Sequence, residues 1–154
     1  EVPDYQIGSN FGWNSHYWQE LGAPWGGMFS SPEDFAVICQ LLLNGGNYGD
    51  VRLLSQSTVQ TMTTNRLVDQ PEIPDSVRRA RPWGLGWSLN SSGTSRSWGD
   101  TLGPNIFGHT GATGTMCWID PDRNGFCLLF TSAIRSRAPW RLVNLSNIVG
   151  SAFV

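Results

Sequence analysis

The stretch from Phe107 to Ser132 constrains the fold of this chain more than any other part of the sequence. Apolar, β-branched and aromatic residues run from Thr113 to Ile119, turn-forming residues occupy 120–125, and a second apolar run covers 126–130. Both runs are nearly continuous rather than alternating, which predicts a β-hairpin with both faces covered, most simply by helices. We therefore expect a central hairpin rather than an edge hairpin.

A polar tetrapeptide, His109-Thr110-Gly111-Ala112, stands at the head of this hairpin, where the sequence predicts the start of the first strand. Glycine in such a place allows the backbone to come close to a ligand, so chemistry is expected here. One hypothesis is a self-contained hydrolase that depends on His109, although the chain lacks a Gly-x-Ser-x-Gly nucleophile elbow. No second histidine or carboxylate stands at helical spacing from His109, so we predict no metal site there.

The absence of lysine narrows the possible chemistry. All ten basic side chains are arginines, which stay protonated, so neither a Schiff base nor a lysine general base can come from this chain. A net charge of -2 gives no general attraction to nucleic acid or acidic membranes, and no apolar run is long enough for a transmembrane helix. We expect no cofactor.

Three cysteines show neither metal-ligand spacing nor a disulfide framework. Cys117 and Cys127 could face each other across the hairpin, but we favour buried free thiols for both and for Cys39.

Helix signals flank the hairpin. Ser31 and Pro32 form a strong helix start with Asp34 in a capping box, and 44–46 (Asn-Gly-Gly) ends that helix. A second helix is predicted from Ser55 to near Thr64. A long surface loop over 65–82 and a strand over 83–89 follow. A terminal helix over 136–154 completes the prediction, and its apolar face is expected to lie on the sheet through Trp140, Leu145, Ile148, Val149 and Ala152.

Tryptophan is abundant, with eight residues in the chain. Trp13, Trp18 and Trp25 lie in a glycine- and asparagine-rich segment. They could form a stacking surface for a sugar or acyl group, but we favour the alternative that they fill a core whose other wall is elsewhere. A non-catalytic binding module that uses tryptophans as a ligand platform is therefore an alternative hypothesis.

Five segments, taken in order along the chain, resemble the C-terminal part of the serine β-lactamase-like family, which includes class C β-lactamases, DD-peptidases and related esterases. They are Gly26-Gly27-Met28-Phe29-Ser30-Ser31-Pro32-Glu33-Asp34, Gly84-Leu85-Gly86-Trp87, His109-Thr110-Gly111-Ala112, Trp118-Ile119-Asp120-Pro121 and the strand Phe126 to Thr131.

The resemblance implies an α+β fold, with an antiparallel sheet flanked by helices, in which 1–154 is a single domain and the C-terminal part of a larger hydrolase domain. It implies acyl-serine hydrolysis of an ester, amide or β-lactam, and a periplasmic or other extracytoplasmic location. His109 falls where the family has lysine or histidine, and Thr110 and Gly111 match its next two positions. The backbone N–H of Ala112 would be one of two oxyanion-hole donors.

Two family elements do not match this chain. The Ser-x-x-Lys element requires lysine, and 48–50 (Tyr-Gly-Asp) has aspartate where the family's Tyr-x-Asn has asparagine and lies too late in the chain. The expected partner of this chain is therefore the N-terminal portion of the domain, which would carry the nucleophile. Alone, the chain is not expected to catalyse acyl transfer.

Overall fold

The computed structural model describes residues 2–90 and 98–153. Within these residues the helices are α1 (His16–Leu21), α2 (Pro32–Leu43), α3 (Gln56–Met62), α4 (Asp75–Ala80) and α5 (Trp140–Ala152). The strands are β1 (Asn47–Tyr48), β2 (Val51–Arg52), β3 (Ser88–Leu89), β4 (Phe107–Thr110), β5 (Met116–Asp120) and β6 (Gly125–Leu129).

The main sheet has four antiparallel strands in the order β3-β4-β5-β6. The predicted hairpin is confirmed as β5 and β6, with Ile119 opposite Phe126. β5 lies inside the sheet, whereas β6 is an edge strand of the sheet that the described residues form, so within this chain the expectation of a central hairpin is met by β5 and not by β6. The first strand begins at Met116 rather than Thr113, because Gly114 has a φ of +81° and turns the chain.

Helices cover both faces of the sheet, as the continuous apolar runs predicted. On one face, Cys39, Leu41 and Leu42 of α2 pack against Phe107 and Ile119. On the other face, Leu142 of α5 lies in a second cluster. The other buried members of that cluster are Trp98, Leu102, Ile106, Met116, Trp118 and Cys127.

The buried face of α5 differs from the predicted one. An apolar face of Trp140, Leu145, Ile148, Val149 and Ala152 was expected, but Trp140 and Ile148 are 63% and 66% exposed. The fully buried positions are Leu142, Ser146 and Gly150. Ser146 Oγ accepts a 2.8 Å hydrogen bond from Trp118 Nε1, and Gly150 leaves room for Leu102. The packing face of this helix is thus selected by a hydroxyl and a missing side chain, not by apolarity alone.

Local capping signals predicted the helix starts well. Ser31 Oγ accepts from the N–H of Asp34 at 3.1 Å, and Ser55 Oγ accepts from the N–H of Thr58 at 3.0 Å. By contrast, the predicted loop over 65–82 contains α4. The predicted strand over 83–89 shrinks to β3, because Gly86, with a φ of +79°, reverses the chain.

The cysteines are free and buried. Cys127 lies opposite Trp118 on the neighbouring strand, and Cys117 lies opposite Leu128. Since neighbouring residues of a strand point to opposite faces, Cys117 and Cys127 lie on different faces of the sheet and do not face each other. In the described ranges, no helix has the length and apolarity needed to cross a membrane.

Candidate active site

The tetrapeptide begins at the end of a strand, not at the start of one as the sequence suggested. His109 and Thr110 are the last two residues of β4 and pair with Cys117 and Met116 of β5. The following residues form the turn to β5, in which the N–H of Gly111 donates to the Thr115 carbonyl at 2.8 Å. The motif therefore lies where the backbone leaves the sheet.

His109 is exposed, and its ring meets the edge of Trp83 with centroids 5.4 Å apart and an interplanar angle of 71°. Trp83 is held next to the sheet by a β-bridge to Ser88. An edge-to-face contact of this kind restricts the imidazole without removing it from solvent. No sequence pattern indicates this pairing.

Arg135 contacts the motif at two points. Its Nη1 donates to Thr110 Oγ1 at 2.8 Å, and its backbone N–H donates to the Ala112 carbonyl at 2.9 Å. Arg135 and Thr110 are both half-buried. No carboxylate in the described ranges pairs with the Arg135 guanidinium, so its positive charge stands beside the motif without an acidic partner there.

The backbone N–H of Ala112 has no hydrogen-bond acceptor among residues 2–90 and 98–153, and Ala112 is exposed. The adjacent Gly111 lies close to Thr115, since a Cβ at 111 would meet the Thr115 hydroxyl unless that side chain moved. An exposed amide next to a tightly packed glycine is the arrangement by which a protein can donate a hydrogen bond to an external anion.

A second arginine supports the far end of the turn. Arg141 Nη2 donates to Thr131 Oγ1 at 3.1 Å and to the Ala133 carbonyl at 2.8 Å. Thr131 Oγ1 in turn donates to the Gly114 carbonyl at 2.6 Å. The turn between β4 and β5 is therefore fixed at both ends by residues that follow β6.

A cleft of about 620 Å³ opens beside Ala112. Arg135 and Trp13 contribute to its wall, and an ion pair between Arg137 and Asp4, 2.7 Å long, lies at the same place. The other lining residues are Pro3, Tyr5, Ile134, Ser136 and Pro139. The cleft thus combines aromatic surface with the positive charge of Arg135.

The tryptophans of the N-terminal segment occupy different environments. Trp13 is half-buried and lines the cleft, whereas Trp25 is 76% exposed and meets Trp18 edge-on at 6.5 Å. Trp25 is therefore not buried by the described residues. The tryptophans that do fill the core are Trp98 and Trp118.

None of the three thiols is suited to act as a nucleophile. Burial raises the pKa of Cys39 to about 12 and the pKa values of Cys117 and Cys127 to about 11, so all three stay protonated at neutral pH. Among the described residues, no three His, Cys, Asp or Glu side chains are grouped as metal ligands.

The four motif residues were predicted from the sequence, but the side chains that hold them were not. Trp83, Thr131 and Arg135 contact the motif or its turn, and Arg141 bonds Thr131. One signal was available, since three arginines occur within the seven residues 135–141.

The β-lactamase family model matches residues 3–152, which is nearly the whole chain. The chain belongs to the β-lactamase family. The resemblance carried by the five sequence segments is thereby confirmed.

Relatives of this family member include proteins from Escherichia coli O157:H7 and Salmonella paratyphi B, both named "Putative D-alanyl-D-alanine carboxypeptidase". The first is 42% identical over 96 residues, which are 62% of this chain and 20% of that protein. The second is 38% identical over 107 residues, which are 68% of this chain and 22% of that protein. This chain spans about a fifth of the length of these relatives.

A solved β-lactamase from Mycobacterium bovis has a similar fold. It superposes with a TM-score of 0.63 at 22% sequence identity, over 80% of this chain and 44% of that structure. The α+β class, with an antiparallel sheet and flanking helices, is confirmed by this likeness and by the architecture described above.

Proposed function

We propose that this chain forms one wall of an acyl-serine hydrolase site, in a protein that hydrolyses an ester, an amide or a β-lactam. The nucleophile and its activating base come from residues outside 1–154. Two observations support this division: the chain contains no lysine for a Ser-x-x-Lys element, and it spans a fifth of its named relatives and 44% of a solved β-lactamase. Residues 1–154 are then the C-terminal part of a larger hydrolase domain.

The observation that carries the proposal is the exposed amide of Ala112, which lines a cleft and has no acceptor among the described residues. Acyl transfer develops negative charge on the carbonyl oxygen, and a fixed backbone donor stabilises that charge in the transition state. We assign the Ala112 N–H as one oxyanion donor. The second donor lies with the nucleophile in the remaining portion of the domain.

His109, Thr110 and Gly111 complete the wall. His109 and Thr110 donate hydrogen bonds toward a substrate carboxylate or the developing anion, and the exposed position of His109 at the strand end suits that role. Gly111 allows the substrate to lie against the backbone. None of these groups is a nucleophile, which agrees with a site that is incomplete in this chain.

The names of the relatives make a peptide that ends in D-alanine the first substrate to test. A terminal carboxylate on such a peptide would accept hydrogen bonds from His109 and Thr110 at the end of β4. The partner of this site is therefore a small molecule or short peptide.

The test is to incubate the full-length protein with a fluorescent penicillin, an activated ester and a D-alanyl-D-alanine peptide. A covalent acyl adduct is expected on a serine, and mass spectrometry of the digested protein should place that serine outside residues 1–154. An adduct on a serine of this chain would overturn the proposed division. Failure of all three probes to give an adduct or turnover would overturn the hydrolase proposal itself.

A further inference from the structure

Arg135 is twenty-three residues beyond Ala112 in sequence, yet it holds both sides of the peptide group that carries the Ala112 N–H. The side chain of Arg135 bonds Thr110 before that peptide, at 2.8 Å, and its backbone N–H bonds the Ala112 carbonyl after it, at 2.9 Å. The peptide is thus bracketed by two contacts from one residue, and its orientation is set by the segment after β6.

The direction of the Arg135–Thr110 hydrogen bond is fixed by chemistry. A guanidinium can only donate, so Thr110 Oγ1 must be the acceptor. The hydroxyl proton of Thr110 then points away from Arg135 and is available to another acceptor. A charged donor on one side of a hydroxyl also polarises it, which strengthens the bond that the hydroxyl donates on the other side.

The surroundings of Arg135 favour this use of its charge. Arg137, two residues further on, forms an ion pair with Asp4, whereas Arg135 has no carboxylate partner in the described part of the chain. Arg135 is half-buried, so its guanidinium has lost part of its hydration and gains most from an organised polar partner. Thr110 is the side chain that supplies this partner.

We propose that Arg135 is a positioning residue, which acts through Thr110 to present that hydroxyl as a donor to the substrate and to fix the Ala112 amide. This inference rests on the proposed function, because the substrate contacts are those of Thr110 and Ala112. It predicts that Arg135 and Thr110 form one energetic unit rather than two independent contributors.

The experiment is a double-mutant cycle in the full-length protein, with the rate of acylation by a fluorescent penicillin as the readout. Arg135→Gln should slow acylation by about tenfold or more, the effect of one charge-assisted hydrogen bond. In a Thr110→Val background, where the acceptor is gone, Arg135→Gln should have almost no further effect. Arg135→Lys keeps a charged donor and should recover part of the rate.

Arg52→Gln is the matched control, because it removes the same charge from an exposed side chain that bonds only the Leu54 carbonyl in the described part of the chain. It should leave the rate unchanged. An unchanged rate for Arg135→Gln, or losses that multiply independently in the double variant, would overturn the inference. Independent losses would mean that Arg135 meets the substrate itself.

A second measurement does not depend on catalysis. In the wild-type protein, the NMR coupling between Hα and Hβ of Thr110 should report a single χ1 rotamer, and Arg135→Gln should give an averaged value. Unchanged coupling would refute the positioning role even in a protein that hydrolyses no probe. Altered coupling in a protein that forms no adduct would instead retain the positioning role and reject the proposed function.

Discussion

Loss of the hydrogen bond between Trp118 and Ser146 should lower the free energy of unfolding, because both side chains are buried. Both residues are 0% exposed, and the indole N–H donates to Ser146 Oγ at 2.8 Å. Ser146→Ala would leave the indole N–H buried without an acceptor, which costs about 1–3 kcal/mol. Alanine is the better helix former by about 0.5 kcal/mol, so the net loss should be about 1.5 kcal/mol.

The matched control is Ser151→Ala on the same helix. Ser151 is exposed and bonds the Ile148 carbonyl of its own helix, so its replacement should change stability by less than about 0.5 kcal/mol. Urea denaturation followed by tryptophan fluorescence measures both variants. Equal losses for the two serines would refute the reasoning.

A Trp118→Phe background tests the mechanism of the loss. Without the indole N–H, the Ser146→Ala change should cost less than about 0.5 kcal/mol, because no buried donor is left unsatisfied. A loss that persists in that background would assign the effect to packing of the serine instead.

Two further predictions concern the sheet and its thiols. Gly108→Ala should destabilise the protein by about 3 kcal/mol in urea denaturation, because the added Cβ would collide with the backbone of Cys117 on β5. The control is Gly26→Ala, which should leave the free energy of unfolding nearly unchanged because its Cβ would meet only a distant atom of Trp18. The pKa values of Cys39, Cys117 and Cys127 are raised above the ordinary thiol value of 9.0, so the folded protein favours the protonated thiols. Above that pH the thiols of the unfolded chain ionise first, and the free energy of unfolding should therefore fall as pH rises. Unfolding free energies at pH 8 and pH 10 check this decline, and rapid reaction of the native protein with a thiol reagent at pH 8 would contradict the burial.

Local signals carried most of the correct predictions. Ser31 and Ser55 cap helices through hydrogen bonds that span three residues, so the sequence contains all the information needed to place those helix starts. The same holds for the β5–β6 hairpin, whose two apolar runs are separated by a short turn. The family resemblance depended on five such local segments in the right order.

Features that depend on distant partners could not be predicted. The buried face of α5 is selected by Ser146, whose partner Trp118 is twenty-eight residues away in sequence. A count of apolar residues points to the exposed Trp140 instead, since a hydroxyl scores as polar wherever it lies. The contact of Arg135 with Thr110 is missed for the same reason, because nothing in either local sequence specifies the other.

The support of the β4–β5 turn by Arg135 and Arg141 has a consequence for how relatives of this chain are compared. A homologue can preserve all four residues of the tetrapeptide and still lack the two guanidinium groups that hold its turn in place. A survey that classes homologues as active because they contain the tetrapeptide would therefore combine proteins whose turn is supported by both arginines with proteins whose turn is not. The arginines at 135 and 141 are the positions at which the two groups should separate.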